Sequence, residues 1–171
     1  MLYKIKDIGD EGLVLDVPVT SDWLAAACPD LEVKPGTGGV FVHGLLERTG
    51  DDVLLRADIR GNVETVCSRC LEPARLALDV PLAVTFVERE VGDPEEVDDP
   101  DVIYFDGDEI DLAPEIRDEI LLALPINPTC QEGCRGLCSV CGGNRNVTPC
   151  GCEANKQTVQ SKLSALAKIK L

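Results

Sequence analysis

The chain has 171 residues, 44% of them hydrophobic, a composition that favours one globular domain with a modest core over a disordered polymer. No run approaches about 18 consecutive apolar residues, so we expect no membrane-spanning helix. The formal net charge of −15 argues against generic binding to nucleic acids, because non-specific affinity comes from basic side chains that neutralise phosphates.

Two short strands and a helix are predicted at the start of the chain. Residues 2–8 and 13–19 have the composition of strands, and Pro18 places the second at a sheet edge or a strand end. Thr20 or Ser21 is a suitable N-cap for the helix that follows.

A hairpin and a further long strand form the centre of the predicted sheet. Residues 40–48 and 53–66 predict the hairpin, since apolar and polar residues alternate in its second strand. Apolar residues occupy every second position from 76 to 86, which predicts another strand. Cys67 and Cys70 would then lie at a hairpin tip. The spacing fits four to six antiparallel strands with one face exposed to solvent.

Acidic residues dominate the stretch 88–111. This composition indicates a solvated, partly mobile loop, and the alternative is an interaction surface for a basic partner. Calcium is not expected there, because the acidic groups lack the ordered spacing of an EF-hand loop. Residues 102–105 predict one short strand inside the loop.

Two further helices are predicted in the C-terminal half. Asp111 is a suitable N-cap for a helix of about 112–124, whose apolar residues recur every four positions and should pack on the sheet. Two prolines end this helix and direct the chain to Cys130, so that the following loop can return to the hairpin tip. A final helix is predicted for 155–171.

The nine cysteines are the most informative feature of the sequence. Eight of them form four close pairs, the number of ligands that two tetrahedral thiolate sites require. Two structural zinc ions are the favoured interpretation, because residues 130–152 contain too few large apolar side chains to order their backbone without a cross-link. Cys28, the ninth cysteine, is expected to be a small core residue. The eight candidate metal ligands are Cys67, Cys70, Cys130, Cys134, Cys138, Cys141, Cys150 and Cys152.

Two other kinds of cysteine chemistry compete with zinc. Disulfides would cross-link the same residues, but the N-terminal residues lack the apolar core of a signal peptide, so we expect a cytoplasmic protein with reduced thiols. A thiol-disulfide redox or redox-sensing role for Cys67 and Cys70 is the functional alternative. That motif normally opens a helix after a strand, whereas strands are predicted on both sides of it here.

Four motifs resemble the YceD family, also called the DUF177 domain: CSRCL at 67–71, EILLALP at 119–125, GLCSVCGGNRN at 136–146 and CGC at 150–152. The resemblance implies a cytoplasmic, non-enzymatic factor needed for the accumulation of large-subunit ribosomal RNA. At 160–163 the chain has QSKL, where the family commonly has DPRL.

The resemblance also implies which cysteines share an ion. One set would be Cys67, Cys70, Cys130 and Cys134. The other would be Cys138, Cys141, Cys150 and Cys152. Some relatives lack the later cysteines, which implies that the second site is not essential to the family's function.

These observations predict an α+β fold with an antiparallel sheet and covering helices. Residues 1–127 would form the sheet domain with its acidic loop at 88–111, and residues 128–171 a Cys-rich zinc-binding module with the C-terminal helix. No enzyme is expected, because the single histidine, His43, has no nearby partner in sequence and is interpreted as structural. The Gly-rich segments also lack a phosphate-binding pattern.

The charge distribution bears on partners. Residues 128–171 hold six basic and two acidic side chains, a formal charge of +4, which leaves −19 on residues 1–127. We expect ribosomal RNA or a basic large-subunit ribosomal protein as the partner, with no membrane and no small-molecule substrate. Arg69, Arg135 and Arg145 are as suitable for supporting the thiolates as for contacting RNA. A metal-stabilised scaffold with an unrelated partner is a third possibility.

Overall fold

The computed structural model describes residues 1–29, 32–89 and 99–152. The helix predicted at 155–171 lies outside these residues, as does most of the acidic stretch before residue 99. Among the described residues the elements are β1 (Leu2–Lys4), β2 (Leu13–Pro18), α1 (Ser21–Ala27), β3 (Lys34–Thr49), β4 (Asp52–Val66), β5 (Pro73–Glu88), β6 (Val102–Phe105), β7 (Glu109–Asp111) and α2 (Ala113–Ala123).

Five of the strands form one sheet in the order β2-β3-β4-β5-β6. The pairs from β2 to β5 are antiparallel, and β1 pairs with β7 in a separate two-stranded antiparallel sheet. With its two helices, the described part of the chain has the predicted α+β class.

The prediction of an antiparallel sheet is wrong for β6, which runs parallel to β5 and pairs Thr85 with Val102. A parallel pair needs a connection of about a dozen residues or more, and residues 89–101 supply one of that length. Apolar alternation does not report strand direction, so the sequence pattern could not reveal this.

The alternation in the hairpin strands is confirmed. Val53, Leu55 and Ile59 of β4 are fully buried. They form one hydrophobic core with the inward side chains of β5, with Leu24 of α1 and with Ile116 of α2. Burying each such side chain contributes roughly 1.5–3 kcal/mol, so this face holds the sheet and helices together.

β3 begins six residues before the predicted Val40, and its register with β4 shifts between Pro35 and Val40. Gly61 lies opposite this irregularity with a φ of 146°, and a Cβ there would come 2.2 Å from the carbonyl oxygen of Gly39. Only glycine allows the two strands to approach this closely.

The prediction of a strand over 2–8 is correct only for Leu2–Lys4, because Ile5–Asp7 form a 3-10 turn. Pro18 ends β2, which is an edge strand, as predicted. The hydroxyl of Thr20 accepts a hydrogen bond from the backbone N–H of Trp23 at 3.2 Å, which confirms it as the N-cap of α1.

α2 starts one residue later than predicted, with Leu112 at the N-cap position. The Asp111 carboxylate still accepts a hydrogen bond from the backbone N–H of Ala113 at 3.0 Å. The same oxygen lies 2.6 Å from the amino group of Met1, and these donors hold the pKa of Asp111 below its usual range against the opposing effect of burial.

Cys28 is buried in the core, as predicted, and burial raises the pKa of its thiol. His43 is half exposed on β3, where its Nδ1 lies 3.1 Å from Asp16 Oδ1 and its ring stacks on Phe41. Neither described helix is long and apolar enough to cross a membrane. The cytoplasmic location and the division into 1–127 and 128–171 stay predictions.

Candidate metal centres

The turn between β4 and β5 presents the first pair of cysteines. The backbone N–H of Cys67 donates to the carbonyl of Glu72 at 2.9 Å, and that of Leu71 donates to the carbonyl of Cys67 at 3.0 Å. Leu71 closes the turn with a φ of +63°, a left-handed conformation that costs a non-glycine residue about 1–2 kcal/mol. Cys67 and Cys70 therefore lie at a hairpin tip, as predicted.

The segment after α2 docks against this tip and brings the second pair. Arg69 makes two of the contacts: its carbonyl accepts from the backbone N–H of Leu137 at 3.0 Å, and its Nη1 donates to the carbonyl of Cys134 at 3.1 Å. Gly136 allows the approach, because a Cβ there would come 2.9 Å from the Arg69 carbonyl. The Arg69 guanidinium thus holds the backbone of a cysteine loop, while direct support of a thiolate by this side chain stays a prediction.

We call Cys67, Cys70, Cys130 and Cys134 the hairpin group. Their four sulfur atoms lie within 4.8 Å of one another. The sulfurs of Cys67 and Cys134 are 3.8 Å apart and those of Cys70 and Cys130 are 3.5 Å apart. A tetrahedron with metal–sulfur distances of about 2.3 Å has edges of about 3.8 Å, so the spacing fits a four-thiolate metal site.

We call Cys138, Cys141, Cys150 and Cys152 the C-terminal group. Their sulfurs also lie within 4.8 Å of one another. The first pair is carried by a tight turn in which the backbone N–H of Cys138 donates to the carbonyl of Gly143 and that of Gly142 donates to the carbonyl of Cys138. Cys138 is buried, Cys141 is exposed and the other two are half-buried.

Two asparagines between Cys141 and Cys150 connect the groups. The side-chain N–H of Asn146 donates to the sulfur of Cys134 at 3.3 Å, and that of Asn144 donates to the Glu72 carboxylate at 3.3 Å. Neither asparagine has a role predicted from the sequence. The available signal was their position inside a ligand loop, where amides commonly support metal-bound sulfur.

The surroundings give the thiols of the hairpin group different pKa values. Burial opposes ionisation of Cys67, but backbone N–H groups, including that of Arg69, point at its sulfur and lower its pKa to about 6. The hydrogen bond between the thiol of Cys130 and Cys70, together with burial, raises the pKa of Cys130 to about 12. One sulfur is thus ready to bind a cation, while another keeps its proton until a cation arrives.

The C-terminal group has the same asymmetry. Backbone N–H groups of Cys141 and Val140 lower the pKa of Cys138 to about 6. The hydrogen bond to Cys141, together with burial, raises the pKa of Cys152 to about 12. A divalent cation would offset about half of the charge of four thiolates in either group and so favour the thiolate form of all four sulfurs.

The structure therefore brings all eight predicted ligands together, in the two sets that the resemblance implied. Each set could hold a metal ion. Arg135 and Arg145 support the loops through their backbones, since the N–H of Arg135 donates to Asn146 Oδ1 and that of Arg145 to the carbonyl of Gly136. That these cysteines bind metal stays a prediction.

Comparisons with known proteins give a consistent result. A family model described as "Large ribosomal RNA subunit accumulation protein YceD" matches residues 55–170. An uncharacterised protein of Mycobacterium tuberculosis is 31% identical over 97 residues, which cover 57% of this chain and 47% of the relative. The chain thus aligns with about half the length of that relative.

Two plant proteins named "Large ribosomal RNA subunit accumulation protein YCED homolog 1, chloroplastic" are also similar. The Zea mays protein is 28% identical over 188 residues, covering 82% of this chain and 63% of the relative. The Arabidopsis thaliana protein is 36% identical over 58 residues, covering 33% and 18%. No solved structure matches. Because the family model covers more than half of the sequence, including all eight paired cysteines, this chain belongs to the YceD family.

Proposed function

We propose that this chain is a non-enzymatic, zinc-stabilised factor in the accumulation of large-subunit ribosomal RNA, and hence in ribosome biogenesis. The observation that supports the proposal is the family match over residues 55–170, together with the name of the maize relative. Because the chain aligns with only part of its relatives' length, the role is proposed for the region they share.

Zinc is the metal that we propose for both groups. Four thiolates at tetrahedral spacing are typical of structural zinc, and a site closed by four protein ligands leaves no position open for catalysis. A multi-iron cluster would hold cysteines that bind different irons farther apart than 4.8 Å, the distance within which all four sulfurs of each group lie. The ions would attach residues 128–152 to the sheet, making a metal-stabilised module of that part.

The redox alternative at Cys67 and Cys70 is not favoured. A redox cysteine needs an accessible, reactive thiolate, and Cys67 is fully buried. The sulfur of Cys70 lies 3.5 Å from that of Cys130 and the sulfur of Cys67 lies 3.8 Å from that of Cys134, so the two cysteines contribute to a four-sulfur group. The pair also joins two strands and opens no helix.

For the partner we propose a basic large-subunit ribosomal protein ahead of ribosomal RNA. A segment with a formal charge of −19 repels phosphates, and a segment of +4 offers few phosphate contacts. Arg69, one of the arginines considered for RNA contact, already donates a hydrogen bond to the carbonyl of Cys134 within the protein. RNA contact through residues 128–171 is the alternative.

The experiment is ribosomal RNA profiling in a strain that lacks the gene, complemented by wild type, Cys67→Ser or Cys28→Ala. Loss of the gene should lower mature large-subunit RNA relative to small-subunit RNA. Cys67→Ser should fail to restore it, whereas Cys28→Ala should restore it, because Cys28 lies in the sheet core away from both groups. Normal ribosomal RNA in the deletion strain would contradict the proposed role.

A further inference from the structure

We propose that Asn146 couples the two cysteine groups, so that a zinc ion in the C-terminal group raises the affinity of the hairpin group for its own ion. The inference rests on the proposed zinc binding and adds to it a dependence of one site on the other. Asn146 would be a positioning residue rather than a ligand.

The contact crosses from one group to the other. In the chain, Asn146 lies between Cys141 and Cys150, both members of the C-terminal group. In the structure its side-chain N–H donates to the sulfur of Cys134, a member of the hairpin group, at 3.3 Å. The loop that carries one set of ligands therefore places a hydrogen-bond donor on a ligand of the other set.

The acceptor end of the same amide holds the loop around Cys134. Asn146 Oδ1 accepts a hydrogen bond from the backbone N–H of Arg135 at 2.8 Å and lies 3.5 Å from the side-chain nitrogen of Gln131. Both ends of the amide therefore act on residues 131–135. The donor reduces the charge on the sulfur, and the acceptor fixes the backbone beside it.

The chemical effect follows from the charge of the site. Four thiolates around one divalent ion leave a net charge of about −2, and N–H donors to the sulfurs disperse it. Loss of such an outer hydrogen bond typically lowers metal affinity about 10- to 100-fold. Loss of the Asn146 hydrogen bond should therefore lower the zinc affinity of the hairpin group by a factor of this size.

The position of Asn146 depends on the C-terminal group. Its backbone and side-chain N–H groups both lie 3.0 Å from Asn144 Oδ1, so the loop determines where the amide points. Val140 and Val147, the large apolar side chains of the segment 138–152, are 66% and 77% exposed and supply no core. A metal ion at the C-terminal group would therefore order the loop and hold Asn146 at Cys134.

Coupling of this kind is reciprocal. If zinc in the C-terminal group favours zinc in the hairpin group, the reverse holds by the same factor. Zinc uptake would then be cooperative, with fewer singly filled chains at limiting zinc than two independent sites would give. The C-terminal group would thereby strengthen the attachment of residues 128–152 to the hairpin tip.

The test uses the full chain in a series of zinc-buffered solutions, with protection of Cys130, the half-buried member of the hairpin group, from alkylation read by mass spectrometry. The proteins are wild type, Cys150→Ser/Cys152→Ser, Asn146→Ala, the triple variant and Val147→Ala. Disabling the C-terminal group should raise the free zinc concentration for half-protection about 10- to 100-fold, and Asn146→Ala should do the same. The triple variant should need no more free zinc for half-protection than Cys150→Ser/Cys152→Ser or Asn146→Ala. Val147→Ala should match wild type.

Asn146→Asp separates the donor from the rest of the side chain. It keeps an oxygen for the Arg135 N–H but replaces the donor to sulfur with a second oxygen, so it should weaken zinc binding at least as much as Asn146→Ala. An unchanged half-protection point in Cys150→Ser/Cys152→Ser, or wild-type affinity in Asn146→Asp, would overturn the coupling while leaving two independent zinc sites. Absence of zinc protection in wild type would overturn the zinc proposal as well.

Discussion

Ser68 donates two hydrogen bonds to a single acceptor, the carbonyl oxygen of Pro128: its backbone N–H at 2.8 Å and its hydroxyl at 3.0 Å. The two bonds join the β4–β5 hairpin tip to the segment after α2. Because Ser68 lies between Cys67 and Cys70, and Pro128 lies two residues before Cys130, the backbone brings the halves of the hairpin group together. A metal ion would complete an arrangement that the protein already favours.

We predict that the purified chain binds two zinc ions. Cys67→Ser should retain one in zinc-sufficient buffer, because the C-terminal group keeps its four sulfurs, while Cys28→Ala should retain two. Elemental analysis after reducing, chelator-free purification measures the count. Less than one zinc per chain in wild type would contradict both assignments.

We predict that chelation unfolds the Cys-rich part before the sheet. Residues 130–152 have little apolar side chain to bury, whereas Val53 and Ile59 of β4 are fully buried in the sheet core. Structural zinc contributes about 10–16 kcal/mol in small peptides, as much as a whole domain's stability of roughly 5–15 kcal/mol.

Amide hydrogen exchange with and without chelator measures the difference. Exchange should accelerate across 130–152 and at the hairpin tip, while the centres of β4 and β5 stay protected. If the amides of 53–60 lost protection at the same rate as those of 130–152, the sheet would depend on the metal and the two-part organisation would be wrong.

We predict that Leu71→Gly stabilises the hairpin tip. Leu71 has a φ of +63° and a side chain that is 65% exposed, so the change relieves strain and removes little packing. The gain in unfolding free energy should be about 1 kcal/mol. This is the strain of the left-handed conformation that glycine removes, minus the conformational entropy that glycine adds to the unfolded chain. Leu71→Ala is the control, because it keeps the Cβ that causes the strain. Urea unfolding at fixed free zinc compares them, and equal stability of both variants would contradict the strain.

We predict that zinc affinity rises with pH. Cys130 and Cys152, with pKa values raised to about 12, hold protons at neutral pH and must lose them to bind metal. Cys67 and Cys138 have pKa values lowered to about 6, so both are already thiolates when the pH is well above 6. In that range they add no pH dependence to zinc binding. Competition against a chromophoric chelator at pH 6, 7 and 8 should show tighter binding at each step, and an affinity independent of pH would contradict the thiol assignments.

The sequence was sufficient for features that depend on local pattern. Alternation over 53–60 predicted the buried face of β4, and the four close cysteine pairs predicted the eight candidate ligands, whose division into two sets the family resemblance implied. Strand direction and the hydrogen bonds that support the cysteine sulfurs depend instead on how distant parts of the chain are placed in three dimensions. The parallel pairing of β6 follows from where the chain re-enters the sheet, and the Asn146–Cys134 contact follows from how two loops dock. Neither leaves a periodic signal in the sequence.

The proposed association with a basic ribosomal protein depends mainly on the charge of the acidic stretch. Residues 88–111 carry much of the negative charge, and the described residues within them include Asp99, Asp106 and Asp108. Residues 90–98 lie outside the described part of the chain, and their charge is evident from the sequence. A basic ribosomal protein would be attracted to this stretch, whereas RNA would be repelled by it.

We predict that neutralising this stretch with Glu95→Gln, Glu96→Gln, Asp98→Asn and Asp99→Asn weakens association with assembling large ribosomal subunits. The control removes four charges elsewhere, with Asp7→Asn, Asp10→Asn, Glu11→Gln and Asp51→Asn, all at exposed residues. Co-sedimentation at several salt concentrations measures both, and the wild-type association should fall as salt rises because exposed charges are screened. Equal loss in the two variants would indicate a net-charge effect only. Unchanged co-sedimentation of the first variant, with strong RNA cross-links at Arg145 or Lys162, would overturn the protein partner in favour of RNA.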